Sequence, residues 1–195
     1  MSQLARLVLV RHGDTVGDSR IRFHGLNDVV LSEIGRAEAR RARAHVPLAG
    51  IDRIISSTQS RAWETAFIIA RGRPVLLEAD FREIDFGRWE GLTREEIAAQ
   101  DPALHAQWEQ QGAAFDFPGG EPRAEFRARV DRGLMRLMGR PTDESVVVVA
   151  HKGVVRRLAE TVSGQKLDDA QPILGGVLQL TRRPDQTWSL RTLLG

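Results

Sequence analysis

The chain has 195 residues, 42% apolar and 28% charged, which suits a globular protein with a sizeable core. It has no cysteine, which rules out disulfides, thiolate catalysis and cysteine metal sites, and no 18-residue apolar run that could span a membrane. The net charge is only +2 and the bases, nearly all arginine, are scattered among acids, so a mixed solvated surface is expected rather than a nucleic-acid-binding stripe.

Met1–Arg6 lacks the layout of a secretory leader, so a cytoplasmic protein, monomeric or homodimeric, is expected. The apolar run Leu7–Val10 then reads as a buried strand that delivers Arg11 and His12 to its C-terminal edge, with Gly13 supplying the turn. Ser32 can cap a helix running to about Val46. Arg53–Ser56 reads as a second strand. The helix after Ser60 places Ala62, Ala66 and Ile69 on one face, with Trp63, Phe67 and Ala70 beside it, and Trp63 is expected to pack. Pro74–Leu77 is a third strand. From about Phe81 to Glu121 no strand pattern occurs, so this stretch is expected to be an insertion of short helices over the sheet edge. Within it, Thr93 and Glu96 form a capping-box pair, Asp101-Pro102 is a cap with a first-turn proline, and Trp89 is expected to pack. Phe126, Val130, Leu134 and Leu137 mark the next helix. The valine-rich run Val146–Ala150 reads as a strand covered on both faces. A helix follows from near Gly153 to Gly164, then two alternating runs, Val177–Thr181 and Thr187–Leu193, joined by a turn at Pro184-Asp185-Gln186. Strands alternating with helices predict one α/β domain over residues 1–195, a three-layer α/β/α sandwich. Its sheet is expected to be mostly parallel with a C-terminal edge hairpin.

Chemistry-bearing residues recur where strands end, which is the ligand edge of an open α/β sheet. Val149-Ala150-His151-Lys152-Gly153 repeats the design of Val10-Arg11-His12-Gly13, and Ser56-Ser57 leads to Arg61 in the first turn of a helix. Glu83 stands among apolar neighbours. Arginines match phosphate oxygens with forked donors, and helix N-termini add N–H groups and a positive dipole end. A neutral histidine can attack phosphorus, a cationic one can stabilise the equatorial oxygens, and a carboxyl in apolar surroundings can serve as acid and then base. Arginines and histidine carry the charge, so neither metal nor cofactor is required. His45 and His105 are expected at the surface, without metal spacing.

Five blocks in this order resemble the histidine phosphatase superfamily in its phosphoglycerate-mutase-like branch, over Leu7 to about Leu158. They are Arg11-His12-Gly13-Asp14-Thr15, with Gly25, Asp28, Leu31, Ser32 and Gly35 following it; Ser56-Ser57 through Arg61-Ala62 and Thr65-Ala66; Glu83 with Gly87-Arg88-Trp89-Glu90-Gly91; Phe117-Pro118-Gly119-Gly120-Glu121; and Ala150-His151 with Gly153 and Arg156. The resemblance implies that His12 is the nucleophile that becomes phosphohistidine. It implies that Arg11, Arg61 and His151 hold the phosphoryl group, that Glu83 is proton donor and then base, and that His24-Gly25 border the substrate. Asp80, Asp85 and Glu90 are rivals to Glu83.

Three positions depart from the family's usual residues: Asp18 for asparagine, His24 for glutamine, and Lys152 for glycine. They bear on which substrate is bound rather than on phosphoryl chemistry. Lys152 either adds charge at the mouth or points to solvent. The expected activity is a metal-independent phosphomonoesterase acting on a small phosphorylated metabolite. A phosphoglycerate mutase and a non-catalytic phosphate-binding module are the alternatives.

Overall fold

The computed structural model of the protein describes residues 4–139 and 143–195; Met1–Gln3, part of the N-terminal stretch considered above, lie outside the described residues. Six strands form one sheet: β1 (Arg6–Arg11), β2 (Arg53–Ser57), β3 (Val75–Glu78), β4 (Ser145–Ala150), β5 (Val177–Arg182) and β6 (Trp188–Leu194). Their spatial order is β3-β2-β4-β1-β5-β6. The first four are mutually parallel, while β5 runs antiparallel to β1 and pairs with β6 as an edge hairpin. No helix among the described residues is long and apolar enough to cross a membrane.

Alternation along the central strands divides the core into two. Leu7, Leu9, Val146 and Val148 join one cluster, and Val8, Val10, Val147 and Val149 join the other. The second cluster is closed by α1 (Glu33–His45) and α2 (Ser60–Ala70), the first by α5 (Arg123–Met138) and α6 (Lys152–Ser163). A sheet with both faces covered needs apolar residues at every position, and β4 supplies four consecutive valines. The predicted punctuation holds: Ser32 caps α1 through Gly35 N–H at 3.0 Å, and Gly164 ends α6 in the left-handed region.

Residues 79–121 carry no strand. They form single 3₁₀ turns and two short helices, α3 (Arg94–Gln100), with its Thr93/Glu96 capping box, and α4 (Pro102–Gln111). Trp89 is wholly buried here, stacked on Phe115 with centroids 5.3 Å apart. Its indole N–H donates to Asp101 at 2.9 Å, so that carboxylate serves the tryptophan rather than capping α4.

Two expectations are corrected. Trp63 and Phe67 are 45% and 60% exposed and stack on one another. The small residues Ala62, Ala66 and Ala70 seat α2 against the sheet, which leaves the aromatics outside. His105 is not a surface residue: its side chain is 14% exposed and lies edge-on to Trp108.

Candidate active site

Because β4 lies between β1 and β2, the residues that leave all three strands meet at one edge of the sheet. Pairing in register brings Arg11 beside Ala150, so His12 and His151, one residue further on, are neighbours with ring centroids 5.1 Å apart. Gly13 is required by packing: a Cβ there would meet the Gly35 carbonyl oxygen of α1 at 2.3 Å.

The histidines are set up differently. His12 Nδ1 lies 2.7 Å from the Gly13 carbonyl oxygen, which can only accept, so Nδ1 carries the proton and Nε2 keeps its lone pair. His12 lines a cavity of about 430 Å³. His151 Nε2 lies 2.9 Å from Ser57 Oγ, and its Nδ1 is buried without a partner. Burial, followed by the charges of Arg61 and other neighbours, pushes both imidazoles well below their ordinary range. At neutral pH both are therefore neutral. That suits attack by His12, and it leaves His151 without the positive charge that would let it stabilise the equatorial oxygens as a cation in the unliganded protein.

This arrangement sets a pH limit on stability. The folded protein holds both rings neutral, so as pH falls through about 6.5 the unfolded chain takes up protons first. Stability is level above that point and declines below it, by up to about 1.4 kcal/mol per pH unit for each histidine. Thermal melting between pH 7.5 and 5 should show this decline, and it should shrink in a His151→Asn variant.

Arg11 ends β1, and its guanidinium donates to the Pro172 carbonyl at 3.0 Å while Nε has no partner among the described residues. Burial outweighs the attraction of Glu83 and lowers it to about 10, where it remains charged at neutral pH. Arg61, in the first turn of α2, is fully buried and donates to the carbonyls of His24, Gly25 and Asn27 at 2.8–3.0 Å. Its terminal nitrogens thus hold the 24–27 loop, and Nε has no partner among the described residues. An unpaired buried N–H costs about 1–3 kcal/mol and calls for an explanation, which an anionic ligand supplies.

Glu83 lies on the cavity wall. Its carboxylate accepts the N–H of Ile84 at 3.0 Å and of Gly153, in the first turn of α6, at 3.0 Å, so its setting is more polar than the apolar neighbours in sequence implied. A Cβ on residue 153 would meet Glu83 Oε1 at 2.6 Å, which accounts for glycine there. The rival acids are engaged elsewhere. Glu90 accepts backbone N–H groups from Gly25, Leu26, Asn27 and Phe86, Asp85 accepts from Gly87, and Asp80 faces Arg132 and Arg136.

Sequence reasoning missed two supports. Gln59 is buried, accepts from Glu83 N–H at 2.9 Å and donates to the Gly25 carbonyl, tying the acid to the Arg61 loop. Arg129 donates to the carbonyls of Asp80, Arg82 and Glu83 and forms a two-point pair with Glu121. A charge within the core-facing stripe of α5 was the available signal for Arg129.

Arg11, His12, His24, Glu83 and Lys152 line the cavity together. Arg61 and His151, both fully buried, are not on its wall. Asp18 and Gly25 are not brought to it either. Asp18 has left-handed backbone and faces Arg20 at 3.3 Å, and the Gly25 N–H is bound by Glu90 at 3.1 Å. The His24 ring is anchored on the Gly17 carbonyl at 2.7 Å, and its Nδ1 is buried without a partner. Among the described residues no group of three or more His, Asp or Glu side chains could hold a metal ion.

The sequence model of the histidine phosphatase superfamily (branch 1) matches residues 7–192. The chain is 32% identical to a glucosyl-3-phosphoglycerate phosphatase of Mycolicibacterium vanbaalenii, covering 90% of this chain and 81% of that protein. It is 36% identical over 156 residues to a bifunctional protein of Mycobacterium tuberculosis, but spans only 43% of that relative's length. A solved mycobacterial glucosyl-3-phosphoglycerate phosphatase in complex with VO3 superposes with a TM-score of 0.79 at 28% identity, over 96% of this chain and 98% of that one. A six-stranded α/β sheet, a pair of histidines at its ligand edge and a family match over nearly the whole chain agree: this chain belongs to branch 1 of the histidine phosphatase superfamily.

Proposed function

We propose that the protein is a phosphomonoesterase that works through a phosphohistidine on His12 and acts on a small phosphorylated metabolite. The observation that carries this reading is the set of buried nitrogens without partners among the described residues, Arg11 Nε, Arg61 Nε and His151 Nδ1, around a neutral His12. Two of these are N–H donors of fixed positive charge. Ser57 Oγ accepts Gln59 N–H at 3.3 Å and can give its own proton to His151 Nε2, which leaves an N–H on His151 Nδ1. Three donors would then be available for the three non-bridging oxygens of one phosphoryl group.

In the first step His12 Nε2 gives its lone pair to phosphorus and the P–O ester bond breaks. The Glu83 carboxyl gives its proton to the departing oxygen, and the alcohol leaves. In the second step Glu83 takes a proton from water as that water's oxygen attacks phosphorus. The P–N bond breaks, and His12 and the protonated Glu83 are both restored. The fixed guanidinium charges offset the charge of the ester.

The test is phosphate release from p-nitrophenyl phosphate with acid-labile phosphoryl transfer to the protein, measured alongside isomerisation of 3-phosphoglycerate. Release that survives EDTA and is inhibited by vanadate is expected. EDTA-sensitive release, or isomerisation outpacing hydrolysis, would overturn the reading.

A further inference from the structure

We propose that Lys152 binds a second anionic group, a carboxylate, on the leaving group of the substrate. This rests on the phosphatase reading and adds what the substrate carries beside its phosphate. Four cations line the cavity: Arg11, Arg20, Arg22 and Lys152. Arg20 faces Asp18 at 3.3 Å and Asp14 at 3.8 Å. Arg22 makes a two-point pair with Glu96 and also donates to the Gly91 carbonyl. Arg11 belongs to the phosphoryl cluster. Lys152 has no hydrogen bond or ion pair to any described residue, although it is half-buried and lines the cavity.

Burial separates it from most of the phosphoryl cluster. Arg61 and His151 are fully buried and His12 is 4% exposed, whereas Lys152, at the first position of α6, is half-buried, as is Arg11. A phosphoryl group has three non-bridging oxygens, and three buried nitrogens are already available to them. The cavity also continues past the histidines along Phe23, Phe86, Ile173 and Leu174, which gives the leaving group's carbon skeleton an apolar surface. Burial, then the charges of Arg11 and Arg156, lower the Lys152 ammonium from its usual range despite the opposing pull of Asp169 and Glu83, a remaining cost that an anion beside it would offset. An ammonium is a compact point charge with three donors, which suits a carboxylate that approaches at varied angles.

The experiment uses matched substrates that differ by one carboxylate: phosphoserine against phosphoethanolamine, and 3-phosphoglycerate against glycerol 3-phosphate. The readout is the acid-to-neutral ratio of kcat/KM from phosphate release, with p-nitrophenyl phosphate as the reference. The wild-type protein should prefer the acid in at least one pair. Lys152→Met should reduce that ratio by about tenfold or more, the worth of one charge-assisted hydrogen bond, with the loss mainly in KM. Lys152→Arg should keep part of the preference. A wild-type protein with no preference in either pair overturns the proposal. So does an equal loss on all five esters, which would place Lys152 on the reacting phosphoryl group. If p-nitrophenyl phosphate is not hydrolysed at all, the phosphatase reading itself has failed.

Discussion

Replacing His12 with alanine should lower phosphate release from p-nitrophenyl phosphate by about four orders of magnitude or more, because the nucleophile has no substitute nearby. His151 is fully buried and absent from the cavity wall, with its Nε2 committed to Ser57, and His24, though on the wall, has its Nε2 held by the Gly17 carbonyl and its Nδ1 buried. Water entering the space left by the ring would have to attack a phosphate ester directly. Arg11, Arg61 and Glu83 would still polarise that ester, so a small residual rate should remain. Because His12 donates to the adjacent Gly13 carbonyl and anchors no distant element, the variant should stay folded. Vanadate or phosphate binding measured by calorimetry should therefore persist in it. The labelled phosphoryl-protein should vanish. Full activity in the variant would move the nucleophile elsewhere.

Much of this fold could be read from local chemistry, because that chemistry agrees with the tertiary structure. The four valines of β4 announce a strand covered on both faces, and Ser32, Thr93 and Gly164 act at the caps that their types imply. The candidate site was legible where a strand hands a reactive residue to the sheet edge, as at Arg11-His12 and His151. Features set by long-range contacts were not. The Arg61 side chain has the composition of a phosphate clamp, but three carbonyls of the 24–27 loop occupy its terminal nitrogens, and nothing in the sequence near Arg61 reports that loop's arrival. Trp63 looked like core because aromatics usually bury; its exposure follows from the close seating of three alanines. Gln59 gave no signal, since its role depends on Gly25 and Glu83 meeting it from opposite sides.

A Glu83→Gln variant should lose activity in proportion to how badly the leaving group needs a proton. With p-nitrophenyl phosphate the departing phenolate is stable, so the loss in kcat/KM, which reports the first step, should be small, within about tenfold. With an alkyl ester such as glycerol 3-phosphate it should reach about 10²–10⁴-fold, the usual worth of a positioned general acid. Glutamine keeps the shape and can still accept the N–H groups of Ile84 and Gly153 through its amide oxygen, so the scaffold is little disturbed. It cannot donate a proton to the ester oxygen or take one from water. Loss of the second function should make the phosphoryl-protein accumulate during turnover of the aryl ester, visible as a burst of nitrophenolate. Equal losses on both esters, without a burst, would point to another acid. The other carboxylates near this edge are poorly placed for that role: Glu90 is held by four backbone N–H donors and Asp85 by the Gly87 N–H. The same logic extends to Arg129, which fixes the carbonyls of Asp80, Arg82 and Glu83. Loosening that turn displaces the acid without removing its proton, so Arg129→Lys should shift the same leaving-group dependence in the same direction, by a smaller factor.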